Sequence, residues 1–171
     1  PSSVTEIGDS AFEGCTGLTS IVVEEGNKVY DSRENSNAII ETESNTLLYG
    51  CQATVIPNSV TEIAYSAFKD RTGLTSIEIP SSVTQIGISA FSGCTGLTSV
   101  VIPSSVTKIR YSAFERCSGL TSIVVEEGNI GIAFINNGDD AIEVTEKYVI
   151  VFLDINMLLL SKLNNNFRRK L

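Results

Sequence analysis

A segment of the form VTxIxxSAFxxxTGLTSIxI recurs four times in this 171-residue chain with little variation, and this repetition constrains the fold more than any other feature. Three copies begin at Val60, Val83 and Val106, at intervals of 23 residues, whereas the first begins at Val4, 56 residues before the second. A short, constant period is typical of solenoids, in which each coil buries its apolar side chains against the next coil. The sequence therefore predicts a stacked array of coils.

Each copy ends in the pattern LxxIxI, whose last two apolar residues alternate with outward-facing ones, as in a strand with one buried side. Strands that recur once per coil should align as a parallel ladder, with neighbours about 4.8 Å apart. Pro57, Pro80 and Pro103 follow such strands, where a proline cannot donate to the ladder and starts a turn. The VTxI segment that comes next predicts a second short strand on the opposite side.

The Ser-Ala-Phe segment of each copy indicates how the chain returns. Serine is a preferred N-cap, so we expect a single helical turn that begins at the serine and points the phenylalanine inward. Stacked coils would place these rings above one another as a column in the core. The four rings are those of Phe12, Phe68, Phe91 and Phe114.

Residues 24–50 lie between the first and second copies and do not follow the repeat. Two short apolar segments within them, 37–40 and 46–49, are separated by polar residues and predict a hairpin that projects from its coil. The CQATVIP segment at 51–57 stands 23 residues before an LxxIxI strand, so it can occupy a ladder position as an atypical strand. The array would then contain five coils, one of which carries the hairpin.

The pattern is lost after the fourth copy. Residues 126–129 repeat the Glu-Glu-Gly-Asn that opens the insert, which indicates a second, diverged insert with 148–153 as its second hairpin strand. The segment 148–160 would be either a cap on the last coil, which solenoids require, or an end with no evolved role. We predict a solenoid domain at 1–129 with a hairpin insert at 24–50, and at 130–171 a diverged segment that is either a cap or a disordered tail.

The repeat resembles the BspA-like leucine-rich repeats, a family of surface proteins from anaerobic bacteria and parasitic protists. Residues 79–103 (IPSSVTQIGISAFSGCTGLTSVVIP) and their counterparts carry the resemblance, and 24–51 is similar to an insert often found between such units. Together these segments cover about residues 1–129. The resemblance implies an α/β repeat fold: a right-handed leucine-rich-repeat solenoid of about five coils with a 23-residue period. One parallel sheet would line its concave face, with short strands and single helical turns on the convex side.

Composition excludes several classes of function. With a formal charge of −8 and a pI near 4.5, the chain lacks the basic field that draws proteins to nucleic acid. The longest apolar stretch, 148–160, is shorter than the roughly 20 residues that a membrane-spanning helix needs. Histidine is absent, as are a Gly-x-Ser-x-Gly elbow, a phosphate loop and metal-ligand spacing, so we predict no enzyme, no cofactor and no metal. The chain begins at Pro1 within a repeat, which we interpret as a fragment or a processed form.

Cys15, Cys94 and Cys117 share one repeat position, which Arg71 occupies in the remaining copy. Two arrangements are open: a disulfide between Cys94 and Cys117 on adjacent coils, or a ladder of buried thiols, which is the commoner use of such cysteines. The acidic residues at the two ends of the array are interpreted as solvated loop charges, with calcium binding as the alternative. These residues are Glu24, Glu25, Glu126 and Glu127.

The residues between the apolar positions of LxxIxI point outward and form a hydroxyl-rich column and a weakly apolar column. We call these positions the LxxIxI face: Ser20, Val22, Ser76, Glu78, Ser99, Val101, Ser122 and Val124. Solenoids generally bind partners on such an extended sheet, so we predict that this face binds a partner. The resemblance implies an extracellular or cell-surface module that recognises a protein or glycan ligand, for example a host extracellular protein, in adhesion.

Two alternatives stay open from the residues alone. Serine and valine suit exposed strands, so the two columns can owe their composition to repeat duplication and bind nothing. The chain can also be a structural spacer, a fragment of a longer solenoid whose function is carried by missing regions. The oligomeric state and the identity of the ligand are not specified by the pattern.

Overall fold

The computed structural model describes residues 1–8 and 10–126 and the backbone of four later strands. Twelve strands are assigned in these parts of the chain, together with a 3-10 helix at Arg33–Asn35. The strands are β1 Tyr30–Asp31, β2 Ala38–Glu41, β3 Thr46–Gly50, β4 Glu62–Ile63, β5 Gln85–Ile86, β6 Ser99–Ile102, β7 Lys108–Ile109, β8 Ser122–Val125, β9 Ile132–Ile135, β10 Ala141–Val144, β11 Val149–Asp154 and β12 Met157–Ser161.

The larger sheet runs along the VTxI side of the repeats. Its eight strands follow the order β1-β2-β3-β4-β5-β7-β9-β10. At its centre β4, β5 and β7 pair in parallel and in register, so that Ile63, Ile86 and Ile109 lie side by side. All three isoleucines are buried, because the second apolar residue of each VTxI segment points into the core. The sequence predicted a second short strand here but not that these strands would form the main sheet.

The smaller sheet, with the order β12-β11-β8-β6, contains the last two LxxIxI segments. β6 and β8 pair in parallel, from Ser99 opposite Ser122 to Ile102 opposite Val125. The prediction of one LxxIxI sheet along the whole array is therefore wrong in extent, since the earlier segments carry no assigned strand. A physical reason is visible at the insert, where the Val55 N–H donates to the Ser36 carbonyl (3.0 Å) instead of to a neighbouring coil.

The predicted helical turns are absent from the Ser-Ala-Phe segments. Ser10, Ser66, Ser89 and Ser112 have positive φ angles of 60°, 53°, 54° and 56°, in the left-handed region, whereas an N-cap residue has an extended backbone. In the later copies some N–H groups of this segment close local turns, as where the Lys69 N–H donates to the Ser66 carbonyl (3.0 Å), and others bond between coils. For example, the Phe68 N–H donates to the Ala90 carbonyl (2.7 Å). Turns that are joined to those of neighbouring coils by backbone hydrogen bonds therefore replace the predicted helical turns at the Ser-Ala-Phe segments.

The phenylalanine column is present over three coils. The rings of Phe68 and Phe91 stack at 5.0 Å and 8°, and those of Phe91 and Phe114 at 5.3 Å and 1°. The first ring does not continue the column: Phe12 packs against Tyr49 of the insert instead, tilted by 57°. Gly50 explains the break, because a Cβ there would lie 2.1 Å from the Phe68 ring. The insert backbone thus covers the face of Phe68 where the ring of another coil would stack.

The insert joins the larger sheet rather than projecting from its coil. β2 and β3 pair antiparallel, as expected for the two apolar segments. β3 then pairs in parallel with β4, which places Leu47 beside Ile63. Ile40 and Leu47 are fully buried, so the hairpin contributes directly to the core. Burial of its apolar side chains against the next coil is a sufficient reason for it to lie in the sheet.

The first coil is attached to the insert mainly through side chains. The Asn27 amide donates to the carbonyls of Pro1 (3.0 Å) and Val4 (2.9 Å), and the Tyr49 hydroxyl donates to that of Gly8 (3.1 Å). A backbone bond from Gln52 to Leu18 (3.3 Å) adds to them. These bonds take the place of the regular backbone ladder that links the later coils.

Beyond the fourth copy, β9 and β10 form an antiparallel pair, and β9 continues the larger sheet beside β7. The segment predicted as the second strand of this hairpin behaves differently. β11 pairs antiparallel with β8 and with β12, not with β10, so it extends the smaller sheet. Residues 162–171 lie outside the described part of the chain, and the division into domains at 129 stays a prediction.

The cysteines are free thiols. Cys94 and Cys117 are buried and donate to the carbonyls of Phe68 (3.1 Å) and Phe91 (3.0 Å), each on the preceding coil. Burial raises the pKa of the Cys94 thiol to about 12 and that of Cys117 to about 11. Cys15, at the same repeat position on the end coil, is exposed. The thiol ladder, and not the disulfide, is the arrangement present.

Arg71 replaces a cysteine for a geometric reason. In the later copies, the thiol at this position donates to the phenylalanine carbonyl of the preceding copy. The Arg71 Nη2 makes the equivalent bond across the insert, to the Phe12 carbonyl (3.3 Å). Its Nη1 reaches the Cys15 carbonyl (3.1 Å), and its Nε reaches that of Gly50 (2.9 Å). The side chain is only 1% exposed. A long side chain with a fork of donors therefore spans a gap that a thiol is too short to bridge.

Replacing Phe91 with alanine should lower the free energy of unfolding by about 3–5 kcal/mol, the usual cost of removing a buried aromatic ring. Phe91 stacks on both sides, so its loss also opens a cavity in the column. Chemical denaturation followed by circular dichroism measures the change. Phe12→Ala is the matched control and should cost less, because Phe12 is only partly buried and lies outside the stack. An unchanged midpoint for Phe91→Ala would contradict a core column.

Arg71→Cys restores the repeat consensus but should destabilise the protein by about 3 kcal/mol or more, because buried carbonyls lose their donors. The loss should be local to the first coil. Hydrogen exchange measured by mass spectrometry should show faster exchange at 1–23 while residues 83–113 keep their protection. Equal protection in the variant and the wild type would show that Arg71 does not hold the first coil.

Native-state alkylation at pH 8 should modify Cys15 quickly and Cys94 and Cys117 slowly. The thiolate is the reactive form, and burial both blocks the reagent and holds the pKa of the two inner thiols far above this pH. Peptide mapping after a short labelling pulse measures each rate, and labelling in denaturant supplies the control. Equal rates at the three positions, or a peptide pair joined by a Cys94–Cys117 disulfide, would overturn this arrangement.

Candidate functional site

Strand alternation creates the LxxIxI face on β6 and β8. Within these strands Val100, Ile102 and Ile123 are buried, whereas Val101 and Val124 point outward. The parallel register then places equivalent residues of neighbouring coils beside each other, about 4.8 Å apart. The outward residues of these two strands therefore lie beside their equivalents rather than at isolated positions.

The apolar column is exposed along its length. Val22 is 76% exposed, Val55 68%, Val101 49% and Val124 36%. Among the described residues, these four valines and Tyr65 are the large apolar side chains that are exposed. Four of the five thus share one repeat position. Glu78, also exposed, occupies this position in the remaining coil and interrupts the stripe.

The hydroxyl column is less uniform than the sequence predicted. Ser76 and Ser99 are exposed, and Ser122, which lies opposite Ser99 in the sheet, is half-buried. The exposed Ser20 is already engaged, because its hydroxyl donates to the Asn37 side-chain oxygen (3.2 Å). The structure therefore brings Ser99 and Ser122 together in register, while Ser20 bonds to the insert.

The insert contributes to the LxxIxI face in a way that the sequence reading missed. Its loop at 32–37 runs beside the segment 51–56. The Asn37 carbonyl accepts the Thr54 hydroxyl (2.7 Å), and the Asn37 amide donates to the Ala53 carbonyl (3.4 Å). The run of turn-forming polar residues before β2 was the sequence signal for an ordered loop. In the structure, several of these residues have positive φ angles.

A cleft of about 390 Å³ opens beside this loop, between the segments 54–58 and 76–80. Its floor is apolar and largely buried, and its edge is polar and exposed. The residues that line it are Glu34, Thr54, Val55, Ile56, Pro57, Asn58, Ser76, Ile77, Glu78 and Pro80. Two predicted site residues, Ser76 and Glu78, lie at this cleft, and the sequence did not indicate the cleft itself.

The basic residue nearest in sequence to this cleft, Arg33, is held in an internal ion pair. Both oxygens of Asp31 accept from the Arg33 guanidinium at 2.7–3.0 Å, and these hydrogen bonds raise the pKa of the arginine. The side-chain oxygen of Asn45 accepts a further bond from it (2.7 Å). The guanidinium therefore supports the fold of the insert.

The acidic residues at the ends of the array have a local structural role. The Glu24 carboxylate accepts the Ser2 N–H (2.6 Å), which lowers the pKa of that carboxyl. Glu126 accepts the equivalent Ser104 N–H (3.1 Å). Each of these two carboxylates therefore binds the backbone 22 residues earlier in the chain, so the prediction that they are simply solvated charges is wrong. Glu127 lies outside the described residues. In the described part of the chain, no three or more metal-binding side chains are grouped so that they could hold an ion.

The family of the chain is settled by its repeats. A sequence profile of BspA type leucine-rich repeat regions matches residues 1–47 and 41–138 in six copies. The chain belongs to the BspA-type leucine-rich-repeat family. Repeat proteins of this kind are generally non-catalytic and generally bind proteins. Among curated proteins, no sequence matches this chain significantly.

Solved structures of three leucine-rich-repeat proteins are similar to this BspA-type chain. One, from Eubacterium ventriosum, is 21% identical with a TM-score of 0.54 and aligns over 80% of this chain and 47% of its own. A leucine-rich-repeat protein of T. pallidum is 28% identical, with a TM-score of 0.45 over 66% and 53%. A leucine-rich cell surface protein from Faecalibacterium prausnitzii is 25% identical, with a TM-score of 0.32 over 68% and 44%. The chain thus spans about half the length of these proteins.

In the portions of the chain that the structure describes, no helix has the length and apolar character needed to cross a membrane.

Proposed function

We propose that this chain is a binding module and that the LxxIxI face is its binding surface. The observation that carries the proposal is that four exposed valines share one repeat position and that two of them, Val101 and Val124, lie side by side in the sheet. Exposed apolar side chains that form a continuous patch mark interaction sites more often than scattered ones do. The hydroxyl column beside them supplies donors and acceptors that can orient a ligand. A binding role also agrees with the family, whose repeats act generally by recognition.

The finer features of the module are part of this proposal. We infer five coils with a 23-residue period and a right-handed rise, with the LxxIxI face on the concave side. We also propose an extracellular or cell-surface location and a protein or glycan ligand, in adhesion. The family match supports the location, since the BspA-type repeats resemble those of surface proteins.

A structural spacer is the second candidate. It is favoured by the fact that the chain spans only 47% of the similar Eubacterium ventriosum protein. In that case the coils would hold other regions at a distance, and the LxxIxI face would have no ligand of its own. Substitutions on the face would then leave every binding property of the parent protein unchanged.

The triple variant Ser76→Lys, Ser99→Lys and Val101→Lys tests the proposal, since three long charged side chains would obstruct the face without entering the core. Purified protein is screened against a glycan array and a panel of purified extracellular proteins, and affinities are then measured by calorimetry. We expect the affinity for any ligand found to fall by more than tenfold, because lysine replaces contacts at the centre of the interface.

The matched control is Thr72→Lys, Thr95→Lys and Ser118→Lys, which also adds three lysines at one exposed repeat position. The control should bind as the wild type does, and circular dichroism should show that both variants are folded. Equal loss in both variants would indicate a general effect of charge. Full binding by both would mean that the LxxIxI face is not the binding surface.

A further inference from the structure

We propose that the cleft between segments 54–58 and 76–80 receives a lysine or arginine side chain of a protein partner. This inference rests on the proposed function, because it names the kind of ligand that one part of the LxxIxI face recognises. The cleft lies where Glu78 interrupts the valine column and where the insert adds Glu34 to the face. It is therefore the place where the face departs from the repeated pattern.

The floor and the edge of the cleft have different chemistry. Ile56, Pro57 and Pro80 are buried and Ile77 is half-buried, so they form an apolar floor. Glu34, Asn58, Ser76 and Glu78 are exposed at its edge. Lysine and arginine have the same division, since an aliphatic stem carries a charged head. A basic side chain can therefore lay its stem on the floor and bring its head to the two carboxylates.

Charge favours a cation over other ligands. Two glutamates and no basic residue are among the described residues that line the cleft. Arg33, which precedes Glu34, already has its guanidinium bound by Asp31. An anionic ligand would be repelled by the two carboxylates. Complementary charge steers partners and sets specificity at protein interfaces, which favours a basic segment.

A metal ion is a poorer ligand for the same residues. Calcium requires six to eight oxygen ligands, many of them from carboxylates, and the described lining offers only two carboxylates beside the neutral side chains of Thr54, Asn58 and Ser76. Ligand pockets for whole small molecules extend from about 300 to 1,000 Å³, so a cleft near 390 Å³ is at the small end of that range. It suits one long side chain of a larger partner better than an independent ligand.

The flanking column indicates the sequence of the partner. Val55 and Val101 stand on either side of Glu78 at the same repeat position, so apolar surface borders the acidic position in both directions. An extended segment that crosses the coils would place apolar residues on the valines and its basic residue at Glu78. Only alternate side chains of an extended segment point to one face, so the expected motif is a lysine or arginine with an apolar residue two positions before it and another two positions after it.

The test uses the full chain and four acetylated, amidated peptides SVGXGVS, with lysine, arginine, glutamine or norleucine at X. Titrations followed by two-dimensional NMR detect millimolar binding and report its location. The lysine and arginine peptides should shift amide signals of 54–58 and 76–80, and the other two should not. Binding of the glutamine or norleucine peptide with equal affinity would overturn the proposal.

The double variant Glu34→Gln and Glu78→Gln should bind the lysine peptide about tenfold more weakly, as expected for the loss of two exposed ion pairs. Glu25→Gln with Glu43→Gln is the matched control, since both residues are exposed and absent from the cleft lining, and it should bind as the wild type does. Unchanged binding by the cleft variant overturns the inference, as does the absence of shifts with every peptide.

The outcomes distinguish this inference from the proposed function. If peptides shift the signals of β6 and β8 without any dependence on the two glutamates, the LxxIxI face binds ligands and the basic-residue preference is wrong. If the face-blocking lysine variant also leaves every ligand bound, the proposed function itself fails. Shifts at the cleft that disappear in the double glutamine variant and persist in its control would support both.

Discussion

Hydrogen bonds between successive coils are the interaction on which this structure depends. On one side the Phe68 N–H donates to Ala90 (2.7 Å) and the Phe91 N–H to Ala113 (2.8 Å), and on the other β4, β5 and β7 pair in register. These bonds require that every coil have the same length, because one extra residue would turn apolar side chains outward. The stacked rings and the thiol ladder follow from the same register. A segment that breaks the period must therefore supply its own attachments.

The insert shows how such attachments are made. It removes the regular backbone contact between the first and second copies, and polar side chains replace it. Arg71 is the central one, because its guanidinium joins the turn of its own copy to the carbonyls of Phe12 and Cys15. Lys69 adds an ion pair with Glu13 on the same side. The first coil is thus held by hydrogen bonds with specific geometry, whereas later coils are held by repeated backbone bonds and apolar packing.

Much of this architecture could be predicted from the sequence, because repetition reports which residues share an environment. The buried isoleucines, the stack of Phe68, Phe91 and Phe114 and the two apolar segments of the hairpin all followed from spacing. The left-handed serines did not, since a serine before a short turn suggests a cap and sequence does not reveal that its neighbours bond to another coil. The position of the insert in the sheet and the cleft beside it depend on three-dimensional contacts that have no periodic signal.

The cleft is a consequence of the same broken register. The Val55 N–H donates to the Ser36 carbonyl of the insert loop, so this donor of the segment 51–56 points away from the coil that follows. An opening beside it then exposes the edge of Ile77 and the floor formed by Ile56 and Pro80. At this opening an exposed valine is replaced by Glu78, a change that stacking does not require because the position is outside the core. Glu78 thus departs from the repeat at an exposed position, next to a cleft that the repeat alone would not create. Selective recognition can arise at such a position because the rest of the surface is uniform.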